Sequence, residues 1–234
     1  MIDFHSHILP GIDDGSKSVE MSVRMVGELQ SQGIDTVCAT SHFYATQRTV
    51  QHFLQRRQEA YDRLRPALPA DAPRILLGAE VLYFPGISHM EELPQLCLEG
   101  TDLLLLEMPF EPWSGYMVRE VNELAHSGRV SVLLAHIERY YFQQDVSVWN
   151  SFLDSGILMQ SNADFFLPFS TRRKALRLMK EGYIHLLGSD CHNMAGRAPH
   201  MAEAAARIRK HLGEEYINDS DALGRLLLKR SPPV

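Results

Sequence analysis

Long apolar runs are missing from this chain. Its longest aliphatic stretches, such as Leu103-Leu104-Leu105-Leu106, fall far short of the roughly 20 residues that a membrane-spanning helix needs, so membrane insertion is not expected. Cysteine is scarce: Cys38, Cys97 and Cys191 are widely spaced and make no disulfide framework, which fits a reducing, cytoplasmic setting. The first residues, MIDFHSHILP, have no basic region ahead of an apolar core, so a signal peptide is not expected. Positive charge is not in excess either. A formal net charge of −6 argues against nucleic acid as a partner, although bound cations would make the working charge less negative. No Gly/Ser linker or low-complexity segment divides the 234 residues, so residues 1–234 are expected to form a single domain. A Gly-rich loop after the first apolar stretch is also lacking, which weighs against a doubly wound nucleotide-binding sheet.

What the chain does contain is a regular alternation. Short apolar stretches at residues 2–5, 35–40, 74–82, 101–107, 130–135, 157–160 and 183–187 read as strands. Between them lie helical periodicities. Residues 17–32 carry Val19, Val23, Val26 and Leu29 at three- and four-residue spacing, and residues 46–65 end before Pro66. Further helices are expected at 116–127, 171–181 and 199–212. About seven strand–helix units in one chain predict an α/β fold with a parallel sheet, curled at this length into a barrel or near-barrel.

The ionisable residues recur at one place in each unit. His5 and His7 end the first strand, His42 ends the second, and Glu80 lies near the end of the third. Glu107 ends the fourth, His136 the fifth, and Asp190 and His192 the last. In a parallel barrel those ends share one mouth, so these side chains are expected to converge. A lone histidine at a strand end is more often a hydrogen-bonded structural group than a ligand; recurrence at nearly every strand end favours ligation. Imidazole and carboxylate donors suit divalent first-row metals, and no thiolate cluster selects zinc. The set exceeds what one ion needs, so a multinuclear site is expected, with Glu80 able to bridge two ions. Such ions would activate a shared water for attack on a phosphate ester. His52, His126, His185 and His211 fall outside the pattern, His89 has no assigned role, and His200 sits beside the last site segment.

One segment, SDCHNMAGR, supports a rival reading. Cys191 and Arg197 have the C-x5-R spacing of cysteine-dependent phosphatases, in which a thiolate attacks phosphorus. That loop is usually Gly-rich with Ser or Thr after the arginine, whereas here only Gly196 is present and Ala198 follows. Replacement of the nucleophile would separate the two readings.

Taken together, FHSHILPGIDDGS, ATSHF, GAEV, AHIERY and SDCHNMAGRAPHM resemble the PHP (polymerase and histidinol phosphatase) superfamily. They are more narrowly similar to the bacterial tyrosine-protein phosphatases of capsule and exopolysaccharide clusters. The resemblance runs from residue 1 to about residue 203. It implies a distorted (βα)7 TIM-like barrel and a three-metal site, with manganese expected and iron, magnesium or zinc as alternatives. It assigns His5, His7, Glu80 and Asp190 to the first ion, Glu80, Glu107 and His136 to the second, and Asp14, His42 and His192 to the third. Spacing alone does not separate Asp14 from Asp13, and either acid would otherwise be read as a cap of the next helix. Arg139 and Arg197 match positions that bind phosphate and stabilise the transition state, a role suited to forked guanidinium donors. The implied substrate is a phosphotyrosine protein, a bacterial tyrosine autokinase controlling polysaccharide export, with histidinol phosphate or another small phosphomonoester as the alternative. Oligomeric state is not read from the sequence.

Overall fold

A computed structural model describes residues 1–229. β1 (Ile2–Ser6) leads through a long loop to α1 (Val19–Ser31), which returns to β2 (Thr36–Ala39). The Ser18 side chain accepts from the Met21 N–H and sets the start of α1. Met25, Val26 and Leu29 bury one face of the helix, with Val19 and Val23 at its margin. After β3 (His42–Phe43), α2 (Val50–Leu64) starts later than the sequence pattern suggests, because Thr49 caps it by accepting from the His52 N–H.

The apolar stretch at 74–82 is two strands, not one: β4 (Arg74–Leu77) and β5 (Glu80–Leu82). The chain then runs through β6 (Leu103–Glu107), α3 (Gly115–His126), β7 (Ser131–Leu134), α4 (Val146–Asp154) and β8 (Leu158–Asn162). It finishes with α5 (Phe169–Lys180), β9 (Leu186–Gly188), α6 (Met201–His211) and α7 (Glu215–Leu227). The sequence pattern did not assign α4 or α7. The short α4 follows a polar segment, and α7 buries only Ile217, Gly224 and Leu227, so its apolar stripe is thin.

All pairings among the described strands are parallel. One sheet has the order β1-β2-β4 and the other β3-β5-β6-β7-β8-β9. Hydrogen bonds carry across the breaks between them: Thr40 N–H donates to Ser6 O, Gly78 N–H to Ala39 O, and Glu80 N–H to Ser41 O. The outer edges also meet, since Asp190 N–H donates to His5 O and His7 N–H to Cys191 O. The result is a curled parallel α/β sheet.

Alternation along the strands sorts the core. Leu103, Leu105, Leu133, Ala135 and Leu186 fill one cluster with Cys38 and Leu76, while Leu104, Leu106, Val132 and Leu134 belong to the larger cluster that includes the helix faces. Glu107 continues the Leu103–Leu105 parity, so the polar end of β6 tops the same face. Gly188 keeps the facing strand close: a Cβ there would lie 2.6 Å from the Cβ of His5.

Candidate metal centre

The nine side chains expected as ligands lie at strand ends or in the loops that follow them. His42 and Glu80 differ in detail from expectation. They open β3 and β5 just after the breaks, and the register pairs His42 with Glu80 and Glu80 with Leu105. The breaks therefore move both side chains onto the tier above the apolar filling.

Glu80 is at the centre. Its Oε2 lies 2.9 Å from His42 Nδ1 and 3.2 Å from both His5 Nε2 and His7 Nε2, while Oε1 lies 2.8 Å from His136 Nε2. Glu107 Oε1 is 3.5 Å from the same His136 nitrogen. On the other side Asp190 Oδ1 is 3.6 Å from His5 Nε2 and 3.5 Å from His7 Nε2. Asp14 Oδ1 lies 3.3 Å from both His42 Nε2 and His192 Nε2. Four overlapping groups of donor atoms result: His7, Asp14, His42 and His192; His5, His7 and Asp190; His5, Glu80 and His136; and His42, Glu80 and Glu107.

The loop after β1 delivers the acids. It doubles back so tightly that a Cβ on Gly15 would lie 2.3 Å from His7 O, and Ser16 N–H donates to that same carbonyl. Asp13 and Asp14 then take different tasks. Asp13 Oδ2 lies 2.9 Å from His7 Nδ1 and accepts from the His42 N–H, so it grips the back of a ring. Asp14, 63% exposed in its side chain, is the one that reaches His42 and His192.

Other ring nitrogens are gripped in the same way. His5 Nδ1 lies 3.2 Å from Gln160 Oε1, and His192 Nδ1 lies 2.9 Å from Asp190 O. These oxygens only accept, so each ring carries a proton on Nδ1 and turns Nε2 inward, the nitrogen by which such a histidine would bind a metal. Sequence reading assigned no role to Gln160 or Asn162, and left Asp13 as an alternative to Asp14 or a helix cap. The available signal was the run of polar residues Gln160-Ser161-Asn162 in an otherwise buried strand. Asn162 Nδ2–H donates to Asp190 Oδ2 at 2.8 Å.

Two backbone positions aim ligands at the centre. Among the described non-glycine residues, only His136 (φ 31°) and Asp190 (φ 50°) have positive φ. Such a conformation costs an L-residue roughly 1–2 kcal/mol, a strain typical of functional sites. His136 follows the parity of Val132 and Leu134, which face the helices, and the left-handed turn brings its ring back to Glu80.

The donors fit divalent cations. Glu80 Oε2, His42 Nδ1 and His192 Nε2 are buried and have no hydrogen-bond partner. Glu80 Oε2 sits within 2.9 Å of His42 Nδ1 without hydrogen-bond alignment, which leaves lone pairs aimed at shared space. Burial works against an ionised Glu80, yet His5 and the hydrogen bond to His136 hold it well below the usual carboxylate range. Burial opposes an ionised Asp190 too, and His5 and His7 outweigh it. Burial pushes His136 down to about 4, and burial with the neighbouring His7 does the same to His192, so both rings are neutral and able to donate a lone pair. Burial and the Glu80 carboxylate raise Glu107 to about 7, a proton that a cation would displace.

Arg139 and Arg197 stand at the rim. Arg139 Nη2 donates to Asp190 Oδ2, and Arg197 Nη2 donates to Asp190 Oδ1 at 2.9 Å. A cavity of about 300 Å³ opens between them, lined also by Asn162, Asp164 and Phe165. His200 lies at the periphery, 3.9 Å from Asp164.

Cys191 is fully buried in the main core, and burial pushes its thiol far above the normal range. A thiol that is neither exposed nor ionised cannot attack phosphorus. Cys191→Ala is therefore expected to keep kcat/KM within about threefold of wild type. Near-total loss with metal retained would revive the thiolate reading.

Comparison with known proteins agrees with the fold. A family model described as "Capsular polysaccharide synthesis, CpsB/CapC" matches residues 1–221. The tyrosine-protein phosphatase YwqE of Bacillus subtilis (strain 168) is 30% identical over 245 residues, covering 100% of this chain and 95% of that protein. The tyrosine-protein phosphatase CpsB of Streptococcus agalactiae serotype V is 28% identical over 235 residues, or 93% of each chain. A crystal structure from work on YwqE of B. subtilis and CpsB of Streptococcus pneumoniae, described as unique metal-dependent tyrosine phosphatases, superposes with a TM-score of 0.83. It is 25% identical and covers 100% of this chain and 99% of that one. A match of this length, shared by sequence and backbone, places the chain in the CpsB/CapC family of capsular polysaccharide synthesis.

Proposed function

We propose that this protein is a metal-dependent protein-tyrosine phosphatase. The observation that carries the reading is the packing of four overlapping N/O donor groups beneath two rim arginines, in a chain whose relatives are named tyrosine-protein phosphatases. His5, His7, Glu80 and Asp190 would hold one ion, Glu80, Glu107 and His136 a second, and Asp14, His42 and His192 a third. The short distances among these donors support the assignment. The donor groups also put His7 within reach of the third ion and His42 within reach of the second. Manganese suits a site rich in carboxylate and imidazole, with iron, magnesium and zinc as competitors.

Ions bound there would supply Lewis acidity, lowering the pKa of a water and neutralising phosphate oxygens. The protein does the rest. Arg139 and Arg197 hold the non-bridging oxygens with forked donors, and Asp190 aims both guanidiniums from behind. Tyrosine's phenolate, with a pKa of about 10, leaves with modest assistance. No phosphorylated cysteine forms, because Cys191 is out of reach in the core.

We further read the nine strands as seven barrel positions, with β2/β3 and β4/β5 each counted once, and residues 1–234 as one domain, of which 230–234 lie outside the described residues. The physiological substrate is read as a tyrosine autokinase acting in polysaccharide export, in the cytoplasm. No helix among the described residues is long and apolar enough to cross a membrane.

The test is a metal analysis combined with a phosphotyrosine-peptide assay, before and after chelation, with histidinol phosphate as the comparison substrate. Chelation is expected to abolish turnover and Mn²⁺ to restore it. Full activity in metal-free protein would sink the reading, and faster turnover of histidinol phosphate would reassign the substrate.

A further inference from the structure

One aromatic ring at the mouth has no part in the site described so far. Phe110, in the connection from β6 to α3, is 54% exposed, although exposing so large an apolar ring is unfavourable. Its ring centre lies 6.0 Å from that of His136, and the Arg139 guanidinium carbon lies 5.5 Å from the Phe110 ring centre. Phe110 thus borders both a proposed metal ligand and a proposed phosphate-binding group.

The ring is held in place. It stacks on buried Tyr140 at 6.3 Å and 26°, and Tyr140 packs edge-on against Trp113 at 5.0 Å. Trp113 Nε1–H donates to Pro109 O and its backbone N–H to Gln144 Oε1, while Gln144 Nε2–H donates to Glu111 O. These bonds pin the chain on both sides of Phe110, and prolines at 109 and 112 stiffen it further. An exposed ring fixed this firmly loses little entropy on meeting a ligand.

We propose that Phe110 determines specificity by packing against the phenyl ring of phosphotyrosine. The proposal rests on the phosphatase reading and deepens it by naming the contact that recognises an aryl phosphate. A monoester whose phosphate oxygens lie on Arg139 projects its ester group from the neighbourhood of that guanidinium, where Phe110 also sits. Aromatic pairs attract in offset or edge-to-face arrangements at about 4.5–7 Å, which this approach allows. Inorganic phosphate and alkyl phosphates carry no ring and gain nothing from it.

The test compares full-length, metal-loaded wild type, Phe110→Ala and Phe110→Tyr. Two quantities are read: kcat and KM for a phosphotyrosine peptide, and the inhibition constant of inorganic phosphate. Phe110→Ala should raise KM about five- to tenfold and leave kcat within about twofold, and Phe110→Tyr should restore KM. The phosphate inhibition constant should not change. An unchanged KM overturns the proposal. So does an equal weakening of phosphate inhibition, which would mean that the ring only braces Arg139. A wild type inactive on the peptide removes the phosphatase reading and this contact together, whereas an active wild type with an indifferent variant removes the contact alone. Thermal unfolding of each variant checks that the fold is intact.

Discussion

Replacing Glu80 with glutamine is expected to lower kcat on a phosphotyrosine peptide by at least about 10³-fold and to reduce the metal content of the purified protein. Both oxygens of Glu80 are engaged. Oε2 faces His5, His7 and His42, and Oε1 faces His136, so the carboxylate joins donor groups that otherwise lie on opposite sides of the site. Glutamine keeps the shape and removes the charge. It also replaces one acceptor with an N–H₂ that would point at ring nitrogens or displace a cation. The measurement is kcat alongside elemental analysis, with thermal unfolding to show that the variant is folded. A variant that keeps more than about a tenth of wild-type kcat with full metal content would rule out a bridging Glu80.

Arg139→Ala is expected to cost on the order of 10²-fold in kcat, and Arg139→Lys should recover little of it. The guanidinium offers two parallel donors and is always charged, whereas an ammonium is a point charge that cannot grip phosphate and Asp190 in the same way. Arg197→Ala should behave similarly, because Arg197 reaches the other oxygen of the same carboxylate. The partition between kcat and KM carries the information. A rise in KM alone would mean that the arginines bind ground state and transition state equally, and the transition-state role would be withdrawn.

Much of the convergence of these side chains was legible in the sequence. Histidine and acid residues recurring at nearly every strand end mark a mouth because a parallel sheet puts all those ends on one side. Apolar alternation, as in Leu103–Leu106, identifies the strands. Other features were not legible. The break between β4 and β5 looks like continuous strand, because Gly78 and Ala79 interrupt neither hydrophobicity nor length; the break reflects a change of pairing partner. α7 was missed because its buried stripe is thin and includes a glycine: Gly224 lies so close to Phe4 that a Cβ would come within 2.6 Å of that ring.

By itself, the sequence determined which chemistry is available: nitrogen and oxygen donors without a thiolate cluster, two arginines near the last strands, and a parallel α/β frame to collect them. Residue type and local period carry that information, and both are written along the chain. Only the tertiary structure decided how each group is used. Asp13 and Asp14 are adjacent and chemically identical, yet one supports His7 and the other faces His42 and His192. His5 is oriented by Gln160, 155 residues away. Cys191 has a phosphatase's spacing and a core residue's burial. Each outcome depends on where distant backbone segments meet and on which of two rotamers or φ regions their packing enforces, and local periodicity does not encode that.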